Sequence, residues 1–308
     1  MSALLQHVDE YLAIRRSLGY RLDGHEPVLR EFVGWLENRG ATVITADLAV
    51  AWAQSRPTSG PIRERQRLTT VRRFAEYMHA IDPRTEVPAK DLLPARQQRT
   101  APYIYSSAEI AALMAAARKL APPLKAATYE TFIGLLACTG LRFAEAAGLD
   151  RSDVDIATGC LLVRCGKNGR SRYVPLHATA VAALATYAAR RDRLCPKPMS
   201  TAFFVTAQGG RLAESTVHGV FARLRRQAGL DACGHGRRPR LHDLRHAFVV
   251  RTMLNWYRDN TDVQARLPLL STYLGHVDPK ATYWYQQAAP ELLALAARRL
   301  EVGPGRRP

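Results

Sequence analysis

Cysteine is scarce in this chain, with five among 308 residues. Cys138, Cys160, Cys165, Cys195 and Cys233 are odd in number and form no C-x-x-C pair. That argues against a disulfide framework and against a four-cysteine zinc site, and leaves reduced thiols in a cytosolic protein as the expectation. Long apolar runs are also lacking. The longest, Thr131 to Leu141, has 11 residues between Glu130 and Arg142, whereas a membrane span needs about 20. The opening Met1-Ser2-Ala3-Leu4-Leu5-Gln6-His7 has neither the charged start nor the apolar stretch of a secretory signal. The expected location is therefore cytoplasmic, with no membrane partner. Acidic residues are in deficit, 27 against 44 Lys and Arg, which leaves a net charge of +17 and points to a polyanionic partner.

The length suggests two domains at roughly 150 residues each. Hydrophobic residues at 47% are enough to give each domain a core, which excludes wholesale disorder. Over the first 80 residues apolar side chains recur at spacings of three and four, predicting four short helices. The first carries Leu4, Leu5, Val8, Leu12 and Ile14 and closes near Gly19. The second carries Leu29, Phe32, Val33 and Leu36 and ends at Gly40, and the third is capped at Thr45 and carries Trp52. The fourth follows Ser59-Gly60-Pro61 with Leu68, Val71, Phe74 and Met78. Its opposite face holds Arg63, Arg65, Arg67, Arg72 and Arg73, either a solvated charged face or one that tracks phosphates.

Four prolines among charges mark residues 83–105 as a linker between a helical domain at 1–82 and a second domain at 106–308. Residues 1–100 carry 15 basic and 12 acidic side chains, so most of the excess charge belongs to the second domain. Ser106 and Glu109 predict a helix cap there, and an apolar helix is expected over Tyr129–Cys138. Leu161-Leu162-Val163 and Tyr173-Val174 have strand character, joined through Asn168-Gly169, a strong hairpin signal. Helical patterns resume at His177, with breaks around 207–210 and 234–239. The fold class expected is mainly α with a small β-sheet (α+β).

Four islands in the second domain carry chemistry. In Thr139-Gly140-Leu141-Arg142-Phe143-Ala144-Glu145, the spacing of three lets Glu145 hold the Arg142 guanidinium, or form an ordinary surface ion pair. The hairpin tip gathers Lys167, Arg170 and Arg172 around two glycines, either solubilising charge or a tip that approaches a ligand. In Leu241-His242-Asp243-Leu244-Arg245-His246, the residues His242, Arg245 and His246 share a helical face. The two histidines suggest zinc, but Arg245 would set a cation beside the metal. Leu274-Gly275-His276 precedes Thr282-Tyr283-Trp284-Tyr285, an aromatic density equally suited to a core.

In this order and spacing the islands resemble the tyrosine recombinase (phage integrase) family across the whole second domain. The motifs are T-G-L-R-x-x-E, a hairpin lysine, H-x-L-R-H, L-G-H, and a tyrosine nine residues after His276. The N-terminal bundle is similar to the family's core-binding, SAM-like domain. The stretch between Arg245 and His276 is longer than usual in the family, with residues 256–260 in the expanded part. Tyr283-Trp284-Tyr285 and the following Pro290-Glu291-Leu292-Leu293 resemble a transposon-associated branch.

The resemblance implies a catalytic set of Arg142, Lys167, His242, Arg245, His276 and Tyr285, with Glu145 supporting Arg142. Tyr285 would attack a DNA phosphodiester to form a 3′-phosphotyrosyl link, Lys167 would protonate the leaving 5′-oxygen, and neither cofactor nor metal is implied. Arg63, Arg65, Arg67, Arg72, Arg73, Arg170 and Arg172 are the expected DNA contacts. Partners implied are double-stranded recombination sites and further copies of the chain in a tetrameric synapse, with sister recombinases in some systems. A type IB topoisomerase shares the chemistry but reseals the same strand. A catalytically silent DNA-binding regulator would lack a catalytic residue, and none is missing from the sequence.

Overall fold

A computed structural model describes residues 2–20, 22, 24–56, 60–93, 102–164, 171–231, 238–259, 261–275 and 292. The chain divides into two compact units, residues 1–100 and 101–308.

The first unit holds four helices: α1 (Ala3–Ser17), α2 (Glu26–Glu37), α3 (Ala46–Gln54) and α4 (Pro61–Ile81). Their stops are those the sequence supplies. Ser2 Oγ accepts from the Leu5 N–H, and Thr45 Oγ1 from the Leu48 N–H. Each bond satisfies an amide that the helix itself leaves unpaired. Val8, Leu12, Leu29, Phe32, Trp52, Val71 and Phe74 form the core, and each large side chain removed from water there contributes about 1.5–3 kcal/mol. Ile14, expected on the inner face of α1, is exposed, because the spacing 4, 8, 12 already fills that face. The beginning of the expected linker packs on this unit. The Glu86 N–H donates to the Ile44 carbonyl at 2.8 Å, its carboxylate accepts from the Ala46 N–H, and Leu93 is buried in the same core.

The second unit is built around α6 (Pro123–Thr139), which is buried on nearly every side. Packed on it are α5 (Ser107–Arg118), the short α7 (Phe143–Gly148), α8 (Ala178–Leu194) and α10 (Asp243–Arg258), while α9 (Glu214–Gln227) packs on α5 and α11 (Val263–Leu274) on α10. Ser106 and Glu109 form the expected reciprocal cap of α5. The helix expected from Tyr129 begins six residues earlier, at Pro123.

A three-stranded antiparallel sheet in the order β1 (Val154–Asp155), β2 (Cys160–Val163) and β3 (Arg172–Pro175) lies beside the helices. Leu161 pairs with Val174 and with Val154, and the register turns all three inward. Val163 pairs with Arg172, which places that arginine at the start of β3. The hairpin tip, residues 165–170, lies outside the described residues. Of the part expected to be expanded, Trp256 and Tyr257 occupy the last turn of α10 and pack on the apolar cluster shared by α10 and α11, and residue 260 lies outside the described residues. A short connection follows, in which Asp262 caps α11 by accepting from the Ala265 N–H.

Candidate active site

Two glycines aim the ends of helices at one spot. α6 stops at Gly140, which has φ +64°, and a Cβ there would lie 2.5 Å from the Phe248 ring. Only glycine meets both demands. The chain then turns so that Arg142 begins α7. α11 stops the same way at Gly275, also at φ +64°. The beginning of α10 delivers His242 and Arg245 to the same place, and the beginning of β3 delivers Arg172.

The C-terminal carbonyls of α11 gather these cations. Arg245, only 2% exposed, donates from Nη1 to the Gly140 carbonyl at 2.6 Å and from Nη2 to the Leu274 carbonyl at 2.8 Å. Arg142 Nη1 approaches that Leu274 carbonyl at 3.5 Å. Arg172 donates from Nε to the Tyr273 carbonyl at 2.8 Å. Unpaired carbonyls at a helix C-terminus carry partial negative charge, so positive side chains are stabilised there.

Glu145 is the counter-charge. Its buried carboxylate accepts the Arg142 N–H at 2.9 Å and Arg142 Nη1 at 2.9 Å. It also accepts a two-pronged bond from Arg172 Nη1 and Nη2, each at 3.0 Å. Burial alone would raise its pKa. The hydrogen bonds from Arg172 and from the Arg142 backbone outweigh that and hold it below the usual carboxylate value, so it is ionised. One carboxylate thus sits among three guanidiniums, and the pocket keeps a net positive charge.

Arg142 Nε and Nη2 make no hydrogen bond to any of the described residues, and the side chain is 23% exposed. That edge of the guanidinium has the spacing to donate two parallel bonds to an anion's oxygens. His242 stands at the beginning of α10 with its imidazole held below the ordinary value, by removal from water and then by Arg245. It is neutral at pH 7 and has a ring nitrogen free of a proton. Tyr273, the tyrosine preceding the L-G-H motif, is spoken for: its ring stacks on Phe248 at 5.9 Å, its hydroxyl faces the Pro175 carbonyl, and burial pushes its pKa up.

The structure therefore brings Arg142, Glu145, His242 and Arg245 into one neighbourhood. Lys167, Arg170, His276 and Tyr285 lie outside the described residues. Arg172 departs from its expected part. Instead of facing outward, it spends Nε, Nη1 and Nη2 on the protein, and its side chain is 14% exposed. No spacing in the sequence announces this, because its partners lie 27 and 101 residues away.

The arginines of α4 also divide. Arg67 lies 3.9 Å over the Trp52 ring, donates to the Ala53 carbonyl at 3.2 Å and pairs with Glu31, which makes it part of the fold. Arg72 pairs with Glu76 at 3.2 Å, and Arg65 reaches Asp91 at 3.7 Å. Arg63 and Arg73 are exposed and have no ion pair among the described residues. They line an open groove with His25, Arg56, Gln66 and Thr70. Among the described residues, no helix is long and apolar enough to cross a membrane.

Comparison with known proteins gives the site its context. The profile of the phage integrase family matches residues 105–291. The chain is 42% identical over 307 residues to the putative integrase/recombinase y4rB of Sinorhizobium fredii (strain NBRC 101917 / NGR234), covering 98% of each chain. It is 28% identical to the tyrosine recombinase XerD of Mycobacterium tuberculosis (strain ATCC 25618 / H37Rv), covering 91% of each. Among solved structures, the Tn1549 transposon integrase in complex with transposon right-end DNA has a likeness of fold. It aligns at a TM-score of 0.69 and 14% identity, over 97% of this chain and 99% of that one. The chain belongs to the phage integrase family and is a tyrosine-type site-specific recombinase.

Proposed function

We propose that this protein cuts and rejoins DNA strands at specific double-stranded sites through a 3′-phosphotyrosyl intermediate, and that it serves the movement of a mobile element. The observation that carries the reading is the arginine pair. Arg245 is fixed by two backbone carbonyls, and Arg142 is fixed by Glu145 with its outer edge free of hydrogen bonds to the described residues. Attack on a phosphodiester adds charge to the non-bridging oxygens, and donors already in place stabilise that charge without reorganising.

The phenol of Tyr285 attacks phosphorus as the bond to the 5′-oxygen breaks. His242 takes the phenolic proton, and Lys167 gives one to the departing oxygen. His276 donates to a non-bridging oxygen. The new ester keeps the energy of the broken bond, so a second 5′-hydroxyl reseals the strand and frees Tyr285 without ATP. Strand exchange needs several protomers on two DNA sites. Among the apolar residues of 290–302, Leu292 is buried in the chain's own cluster with residues of α10 and α11, which leaves Leu293, Leu295 and Leu300 as the positions that suit docking on a neighbouring copy. The mobile-element assignment draws on Tyr283-Trp284-Tyr285 and Pro290-Glu291-Leu292-Leu293, which resemble a transposon-associated branch, and on the likeness of fold to the transposon integrase.

The test is a random library of nicked duplexes offered to the purified protein, from which DNA bound covalently under denaturing conditions is recovered. A defined site is expected from the native protein and from Tyr283→Phe. Tyr285→Phe is expected to bind the same site without forming the covalent product. Covalent capture by Tyr285→Phe, or none by the native protein, overturns the reading.

A further inference from the structure

Arg172 ties together three motifs that the sequence sets far apart. Its two terminal nitrogens close on Glu145, the residue that also orients Arg142. Its Nε holds the Tyr273 carbonyl at the end of α11. Gly275 presses against the same guanidinium, since a Cβ there would lie 2.7 Å from Nη1. Nε, Nη1 and Nη2 of Arg172 each donate to the protein, which fixes the plane of the guanidinium.

The consequence falls on Arg142. A buried carboxylate needs its lone pairs filled, and the penalty for leaving them empty is large. Arg172 fills two sites on Glu145. Arg142 therefore supplies only its backbone N–H and Nη1, and keeps Nε and Nη2 for another partner. Without Arg172 the carboxylate draws further donors from Arg142 and turns the free edge inward.

We infer that Arg172 is a positioning residue. By saturating Glu145 and clamping the end of α11, it sets the pose in which Arg142 meets the scissile phosphate. This rests on the DNA-cleavage reading above, and the experiment separates the two. The native protein and Arg172→Lys, which keeps the charge but loses the planar fork, are given the nicked duplex recovered from the random library. Single-turnover cleavage is measured on that duplex and on one whose scissile phosphate carries a methyl in place of a non-bridging oxygen. The neutral phosphonate has less charge for Arg142 to stabilise.

The lysine variant is expected to cleave the normal duplex on the order of 10²-fold more slowly, the cost of a misplaced group. On the phosphonate it is expected to lose no more than about threefold, with DNA affinity unchanged at every salt concentration. Equal losses on both duplexes mark a purely structural role and overturn the proposal, as does an unchanged rate or a shallower salt dependence. Thermal melting checks that the variant folds. Glu145→Gln supplies an independent route: combined with Arg172→Lys it should cost no more than the larger single loss, and multiplicative losses overturn action through Glu145. If the native protein cleaves nothing, the DNA-cleavage reading fails instead.

Discussion

Arg73 on α4 and Arg245 on α10 are both helix-borne cations in a strongly basic chain, yet their surroundings are opposites. Arg73 is exposed, ends in water and has no ion pair among the described residues. Arg245 is sealed from water and pinned by two backbone carbonyls. A solvated charge attracts a polyanion at long range and releases counterions on contact, so pose matters little. A buried guanidinium is costly to hold in place, and its worth lies in standing where charge develops. Neighbouring arginines in the first unit show that sequence position alone does not decide between the roles: Arg67 lies flat on Trp52 and supports the bundle.

The largest effect expected from breaking this contrast comes from Arg245→Lys. The ammonium keeps the charge, but one nitrogen cannot bond the Gly140 and Leu274 carbonyls in the original fork. Single-turnover formation of the covalent product is expected to fall about 10²- to 10³-fold, as when a preorganised donor is removed. Affinity for the duplex should change by less than about threefold, with folding checked by melting. Comparable losses in affinity and rate would put Arg245 in the same class as the α4 arginines.

Neutralising the solvated pair comes next in size. Arg63→Gln with Arg73→Gln is expected to weaken duplex binding and to lower the slope of log affinity against log salt by about 1.8, or about 0.9 for each phosphate no longer neutralised. Cleavage at saturating DNA should be unchanged. Titrations between 50 and 200 mM salt measure the slope, and Arg72→Gln serves as the internal contrast because Glu76 already pairs it. An equal drop from Arg72→Gln would show that ion pairs on α4 open on binding, and the paired and solvated arginines would then be one class.

The same contrast explains how much was legible beforehand. Caps and breaks are local, so the starts of α3 and α5 and the stops of α1 and α2 could be read from Thr45, Ser106, Gly19 and Gly40. The start of α6 could not. It is buried nearly all round, so no apolar stripe marks the turn before Tyr129. β1 is two residues long, too short to show alternation. In the site, motif spacing pointed to Arg142, Glu145, His242 and Arg245, because those residues sit at helix ends whose positions the glycines and caps declare. The inward turn of Arg172 and the stacking of Arg67 depend on partners brought by tertiary folding, which spacing does not encode.

The smallest effect concerns histidine, and it carries the comparison into stability. His246, one turn after His242 on α10, has its pKa pushed down to about 3, first by burial and then by His242, Arg240 and Arg245, with Asp243 Oδ1 at 3.9 Å on the other side. Its unfolded value is near 6.5. Between those values the unfolded chain binds a proton there that the folded chain refuses. The contribution of His246 is therefore present above pH 6.5 and is lost as pH falls from 6.5 toward 3. Asp243 acts in the opposite sense, because burial raises its pKa, so acidification returns part of the loss.

A net decline of a few degrees in melting temperature is expected between pH 7.0 and 5.0, and His246→Gln should flatten it. Hydrogen exchange, corrected for intrinsic rates, localises the change: α10 should lose protection at the lower pH while α4 holds its own. Equal loss in both helices would mean that acid acts on the whole chain through its general excess of positive charge. The buried cluster around Arg245 would then carry no special cost.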